Sequence, residues 1–135
     1  MLLLSVVRAA EFAAAYTVRT ANDLNADLIV TITDAGRSAR FIAKYRPRVG
    51  VLCVTQNANT AANLLVTKAA IPFVVENLTE LSTTDLVARA FQRALDLNIV
   101  RPGSLAVLLT GTEGKQTLTV KVLTVPKAAT PPVGK

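Results

Sequence analysis

The chain has 135 residues, enough for one domain of ordinary size, and 51% are hydrophobic against 18% charged, which excludes a disordered tail or linker. It has no histidine and one cysteine, so a zinc site, an internal disulfide and histidine-based acid–base chemistry are excluded together. The net charge of +6 raises the question of nucleic acid, but aromatics are only 4% and no recognition motif accompanies the basic residues.

Met1-Leu-Leu-Leu-Ser-Val-Val opens the chain without the basic n-region of a signal peptide, and Arg8 and Glu11 break its apolar run. No apolar run approaches the ~20 residues of a membrane helix, so no membrane partner is expected. A first helix is predicted over residues 6–25, where Val7, Ala10, Ala14, Val18, Ala21 and Leu24 fall near one stripe. Asp27-Leu-Ile-Val-Thr-Ile-Thr33 then reads as a buried strand from 28 to 33. Asp34, Ala35 and Gly36 turn it into a helix from about 36 to 46, which ends before Pro47 because the residue ahead of a proline avoids helical angles. Phe41, Ile42 and Tyr45 form its apolar face, with Arg37, Arg40 and Lys44 beside it. Together with Arg46 and Arg48 these cations read as a solvated face or a subunit contact more readily than as a nucleic-acid surface.

A second strand, Val49 to Thr55, carries the lone Cys53 as a small buried hydrophobe, which fits a reducing, cytoplasmic compartment. Gln56 to Thr60 is a capping cluster that starts a helix through Leu64, Leu65 and Val66 to about Lys68. Ile71-Pro-Phe-Val-Val75 is a short third strand, kept near its start or at an edge by Pro72. Ser82-Thr-Thr-Asp85 opens a long helix whose apolar face is Leu86, Val87, Ala90, Phe91, Ala94 and Leu95. Leu105 to Thr110 is another buried strand, Gly111 to Gln116 a polar loop, and Thr117 to Val125 an alternating strand. Strands joined by so short a loop are antiparallel, whereas the earlier ones alternate with helices and are parallel. The pattern predicts an α/β three-layer sandwich: one domain over 1–125 with four parallel strands and an antiparallel last one, then a flexible tail over 126–135.

Several of these pieces occur together in a known family. Thr31-Ile-Thr-Asp-Ala-Gly-Arg-Ser-Ala-Arg, Tyr45-Arg-Pro47, Val51-Leu-Cys-Val-Thr55, Ile71-Pro-Phe73, Val100-Arg-Pro-Gly-Ser-Leu105 and Leu109-Thr-Gly111 resemble, in order, the C-terminal domain of pyruvate kinase. The resemblance runs from about Glu11 to Val125 and implies the strand order 3-2-1-4-5. It also implies that the catalytic barrel is absent from this chain. Divalent magnesium, potassium, phosphoenolpyruvate and ADP are held by that barrel in the family, so no cofactor and no catalytic residue are carried over. The implied role is that of a regulatory and oligomerisation domain, with the catalytic domain of the same enzyme and a second copy of the chain as partners.

In a sheet of that order, ligands sit beyond the C-terminal strand ends where the order reverses. The loops there are Thr33, Asp34, Ala35, Gly36, Arg37 and Ser38 on one side, and Gly111, Thr112, Gly114 and Lys115 on the other. Thr33 and Ser38 offer hydroxyls, Gly36 lets backbone amides come close, and Lys115 adds a point charge, all suited to a phosphate. The alternative is that Thr33 and Ser38 only cap the helix. A phosphorylated sugar is the effector the resemblance suggests. Against it, Ala35 stands where effector-binding members have Ser, and the loop after Gly111 has neither Trp nor Arg. The run Gly111-Thr-Glu-Gly-Lys-Gln is no P-loop, since its spacing fails and a strand follows. Asp34 and Glu113 read as surface carboxylates, not an acid–base pair. A free-standing protein that binds a phosphometabolite or nucleotide with the same fold remains the other reading.

Overall fold

The computed structural model describes residues 2–33, 36–67, 69–111 and 118–126. Five strands, β1 (Leu28–Ile32), β2 (Gly50–Thr55), β3 (Ala70–Val74), β4 (Leu105–Gly111) and β5 (Leu118–Thr124), form one sheet in the order β3-β2-β1-β4-β5. The first four are parallel and β5 runs antiparallel to β4. The helices are α1 (Leu2–Asp23), α2 (Arg37–Lys44), α3 (Ala58–Leu64) and α4 (Thr83–Asp96), with one 3-10 turn at Leu78–Glu80.

The layers follow from the two-residue period of a strand. Ile29, Val51, Cys53, Val107 and Leu109 point to one face and are covered by Ala14, Val18 and Ala21 of α1, Ala39 and Ile42 of α2, and Leu64 of α3. Leu28, Val30, Leu52, Val54, Ala106 and Leu108 point to the other face, where Leu86, Ala90, Phe91 and Ala94 of α4 cover them. Small residues on α1 let the helix lie close to the sheet, as its alanines suggest. The three-layer sandwich and strand order expected above are both present.

Helix ends differ from the sequence reading for local reasons. α1 begins at Leu2 instead of residue 6, because Leu2 to Leu4 are good helix formers with no breaker after them. It stops at Asp23: Asn25 takes a positive φ of 53° and Ala26 N–H reaches back to Ala21 O. Leu24, placed in the buried stripe above, therefore lies past the helix and is exposed. α3 ends at Leu64, short of Lys68, so Leu65 and Val66 fall outside it, and Val66 is 91% exposed. Its start is as expected, with the Asn57 side chain accepting from the N–H groups of Asn59 and Thr60. Ser82 caps α4 by accepting from Asp85 N–H.

The two sheet edges are unlike. On β3, Val75 N–H bonds Thr55 O and Ala69 O accepts from Val51 N–H, so alternate residues 71 and 73 also face β2. Pro72 is thus at an outward position, where its missing N–H deprives the free edge of a donor. On β5, Val125 N–H bonds Ser104 O, which turns the amides of Leu118, Val120, Val122 and Thr124 outward, and none of these is proline.

Leu52 is fully buried on the central sheet, whereas Val122 is half exposed at the edge. Leu52→Ala should lower the unfolding free energy by about 2–5 kcal/mol. Val122→Ala should change it by no more than about 0.5 kcal/mol. Urea midpoints measure both, and equal losses would contradict this core.

Candidate functional site

β1 lies between β2 and β4, so the chain leaves it at the level where the strand order reverses. Thr31 is opposite Leu109 in the β1–β4 register, and Thr33 and Gly111 follow each by two residues. The described ends of the two predicted loops therefore share one rim of the sheet. Asp34, Ala35, Thr112, Glu113, Gly114 and Lys115 lie outside the described residues.

Thr33 still pairs with the sheet, its N–H bonding Val54 O at 2.8 Å, and it is buried. Its hydroxyl oxygen accepts the Gly36 N–H at 2.9 Å, which closes the bend. Gly36 is the N-cap of α2 with φ 86° and ψ 6°, a left-handed conformation that costs other residues strain. A Cβ there would also sit 3.1 Å from an Arg40 guanidinium nitrogen, 3.2 Å from Thr60 Cγ2 and 3.5 Å from Leu64 Cδ2. The positive φ strains any other residue here, and the neighbours at 3.1 and 3.2 Å would have to give way as well. Of the two residues that the capping alternative names, Thr33 bonds the N–H of the N-cap residue Gly36, whereas the Ser38 side chain pairs with Thr31.

The Ser38 hydroxyl lies 2.9 Å from that of Thr31, a buried strand residue. One of the two donates to the other, so the pair keeps one O–H for a further acceptor. Thr33 likewise accepts from Gly36 and retains its own O–H. The amides of Arg37, Ser38 and Ala39 open α2 and, by helix geometry, have no partner within it. Hydroxyls and amides thus lie together at the positive end of the α2 dipole, where the partial charge favours a negative group. The Gly36 amide itself is committed to Thr33 and is not part of that set. Arg37 is half-buried beside the bend, and Gly111 is exposed at the end of β4.

Sequence reasoning did not single out Thr31 as the partner of Ser38, nor Thr60 and Leu64 as the wall behind Gly36. A threonine inside an otherwise aliphatic strand, seven residues ahead of a serine, was the available signal for the first. The second depends on how α3 packs and had none.

The other end of α2 is tied to α1. One carboxylate oxygen of Glu11 accepts from Lys44 Nζ at 2.8 Å and from Tyr45 Oη at 3.0 Å, and Lys44 also lies over the Tyr45 ring at 5.7 Å. The hydrogen bond from Lys44 holds the Glu11 carboxyl below its usual range, and the same bond raises Lys44. Cys53 is the opposite case: burial pushes its thiol up to about 12, which leaves it neutral and unreactive. Among the described residues no group of three or more Cys, Asp or Glu side chains is placed to hold a metal ion. No helix among them is long and apolar enough to cross a membrane.

The sequence profile of the family described as pyruvate kinase, alpha/beta domain, matches residues 11–125. Pyruvate kinase of Dictyostelium discoideum is 43% identical over 122 residues, covering 88% of this chain and 24% of the relative. The enzyme of Bacillus licheniformis is 35% identical over 96 residues, 71% of this chain and 16% of the relative. Among solved structures, Cryptosporidium parvum pyruvate kinase in complex with ADP superposes with a TM-score of 0.81 at 26% identity, over 87% of this chain and 24% of that one. The chain therefore spans a quarter or less of the length of these relatives.

Gly36→Ala should destabilise the fold by about 1–3 kcal/mol in chemical denaturation, through φ strain and the wall of α3. A neutral result would mean that the bend relaxes freely. For Glu11 the folded pKa is lowered, so its contribution is present above the unfolded value and is lost as pH falls through the folded one. For Lys44 it is raised, so its contribution is lost only as pH rises through the folded value. Wild type should therefore exceed Glu11→Gln in stability near neutral pH, and the two should converge as acid protonates Glu11; a gap that persists in acid would refute the clamp.

Proposed function

The chain belongs to the pyruvate kinase alpha/beta-domain family, and on that premise we propose that it serves as a regulatory and assembly domain of a pyruvate kinase, with an anion seat at the Gly36 bend. The observation that carries the reading is where the bend lies: at the exit of β1, at the strand reversal between β1 and β4, with the Thr31–Ser38 hydroxyls and the first amides of α2 beside it. A phosphate monoester or sugar phosphate is the ligand class that this donor set suits. Phosphoryl transfer from phosphoenolpyruvate to ADP, with its magnesium and potassium, belongs in this reading to the remaining three quarters of the enzyme and not to this chain. The lone, buried Cys53 is in keeping with a cytoplasmic protein.

Assembly rests on the open edge of the sheet. β5 turns alternate amides and carbonyls outward over an apolar strand, the arrangement that a second copy can extend by antiparallel pairing. Regulation then operates through affinity: a ligand that binds the assembled form better shifts the population toward it.

Thermal shift with inorganic phosphate and fructose bisphosphates tests the seat. Saturation at a hundred times the dissociation constant should add about 2.7 kcal/mol of stability if only the folded form binds. No stabilisation by any of them would remove the seat and leave assembly alone. Turnover of phosphoenolpyruvate and ADP by the pure chain, abolished by chelation, would overturn the non-catalytic assignment.

A further inference from the structure

Residues 37–48 carry Arg37, Arg40, Lys44, Arg46 and Arg48 and no Asp or Glu, so +5 of the chain's net charge of +6 lies in one short stretch. Composition alone favours a solvated face for these cations; the structure adds three facts. Arg37, Arg40 and Lys44 recur at spacings of three and four residues, on the side of α2 away from its buried Ala39 and Ile42. Arg40, Lys44, Arg46 and Arg48 are exposed, and Arg37 is half-buried. Among the described residues, Lys44 has a carboxylate partner in Glu11, whereas no carboxylate pairs with Arg37, Arg46 or Arg48. A run of like charges held on one surface without counter-charges raises the local potential and draws a polyanion.

We propose that this face of α2, with the segment that leaves it, binds single-stranded nucleic acid, the cations following the phosphates and Tyr45 stacking on a base. Two observations choose that partner. Tyr45 is 37% exposed and stands in the chain between Lys44 and Arg46, with its hydroxyl tied to Glu11, so the ring is held beside the charges. An aromatic ring set among cations is the usual platform for an unpaired base. α2 is only eight residues long and is flanked by α1, through Glu11, and by Thr60 and Leu64 of α3. It therefore cannot enter the major groove of a duplex as a protruding helix does, and bases must reach it unpaired. Four of the five cations are arginines, whose planar guanidinium matches a phosphate by two parallel hydrogen bonds. Neither the amides at the Gly36 bend nor the β5 edge takes part in this contact.

Fluorescence anisotropy of a labelled single-stranded RNA of about 15 nucleotides, titrated with the purified chain, tests the contact. If the four arginines neutralise about four phosphates, affinity should fall about fiftyfold between 50 and 200 mM salt. Arg46→Gln with Arg48→Gln should reduce that fall to about sevenfold while the melting temperature holds, because both side chains are exposed. Tyr45→Leu should weaken binding about fivefold or more with the salt dependence unchanged, and Tyr45→Phe, which keeps the ring, should bind nearly as the wild type does. No binding at 50 mM salt up to about 100 μM chain would overturn the proposal. A full salt dependence in the double arginine variant would overturn it too, by placing the contact elsewhere. Inorganic polyphosphate that displaces the RNA while Tyr45→Leu changes nothing would mark a general polyanion surface and overturn the nucleic-acid assignment.

Discussion

The hydrogen bond from the Gly36 amide to the Thr33 hydroxyl is the contact on which the functional geometry depends. β1 is buried on both faces and paired on both edges, so the chain can leave it only at its end. α2 begins within a few residues, and the reversal of direction must be made by a residue with φ 86° against the wall of Thr60 and Leu64. Closing the bend on a hydroxyl fixes where the first turn of α2 points. The same bond commits the Gly36 amide, and leaves the amides of Arg37 and Ser38 and the Thr31–Ser38 hydroxyl pair as the donors of the proposed anion seat.

α2 connects this bend to the rest of the helical layer with little material. It buries only Ala39 and Ile42, and its far end is held by the Glu11 carboxylate on α1. α1 in turn covers β4 and β5. A continuous line of contacts therefore runs from the rim of the sheet, through α2 and α1, to the open edge. That continuity is a matter of packing; coupling along it requires two arrangements of these elements with different energies.

Much of this was legible in the chain because its punctuation is strong. Gly36, Pro47, Ser82 and the Arg101-Pro-Gly run mark turns and caps that the folded chain uses, and Pro72 marks the edge strand. Strand directions followed from connection lengths alone. The division of the strands between two faces was not legible, since Ile29 and Val30 or Val51 and Leu52 are equally apolar although they point opposite ways. Leu65 and Val66 read as part of a helix because nothing in the local pattern shows that α3 stops at Leu64. At the site, the loops could be placed by their glycines, but the pairing of Thr31 with Ser38 and the crowding at Gly36 depend on contacts distant in sequence.

Pro72 bears on how far such a domain can build. Two copies joined through β5 would leave only their β3 strands as outer margins, and each margin has a proline at an outward-facing position. Such a margin is a poor template for a further strand, so growth by edge pairing ends at the dimer and does not run on into a fibre. A ring imino acid on one side of the sheet would in this way set a limit on what the opposite side can recruit.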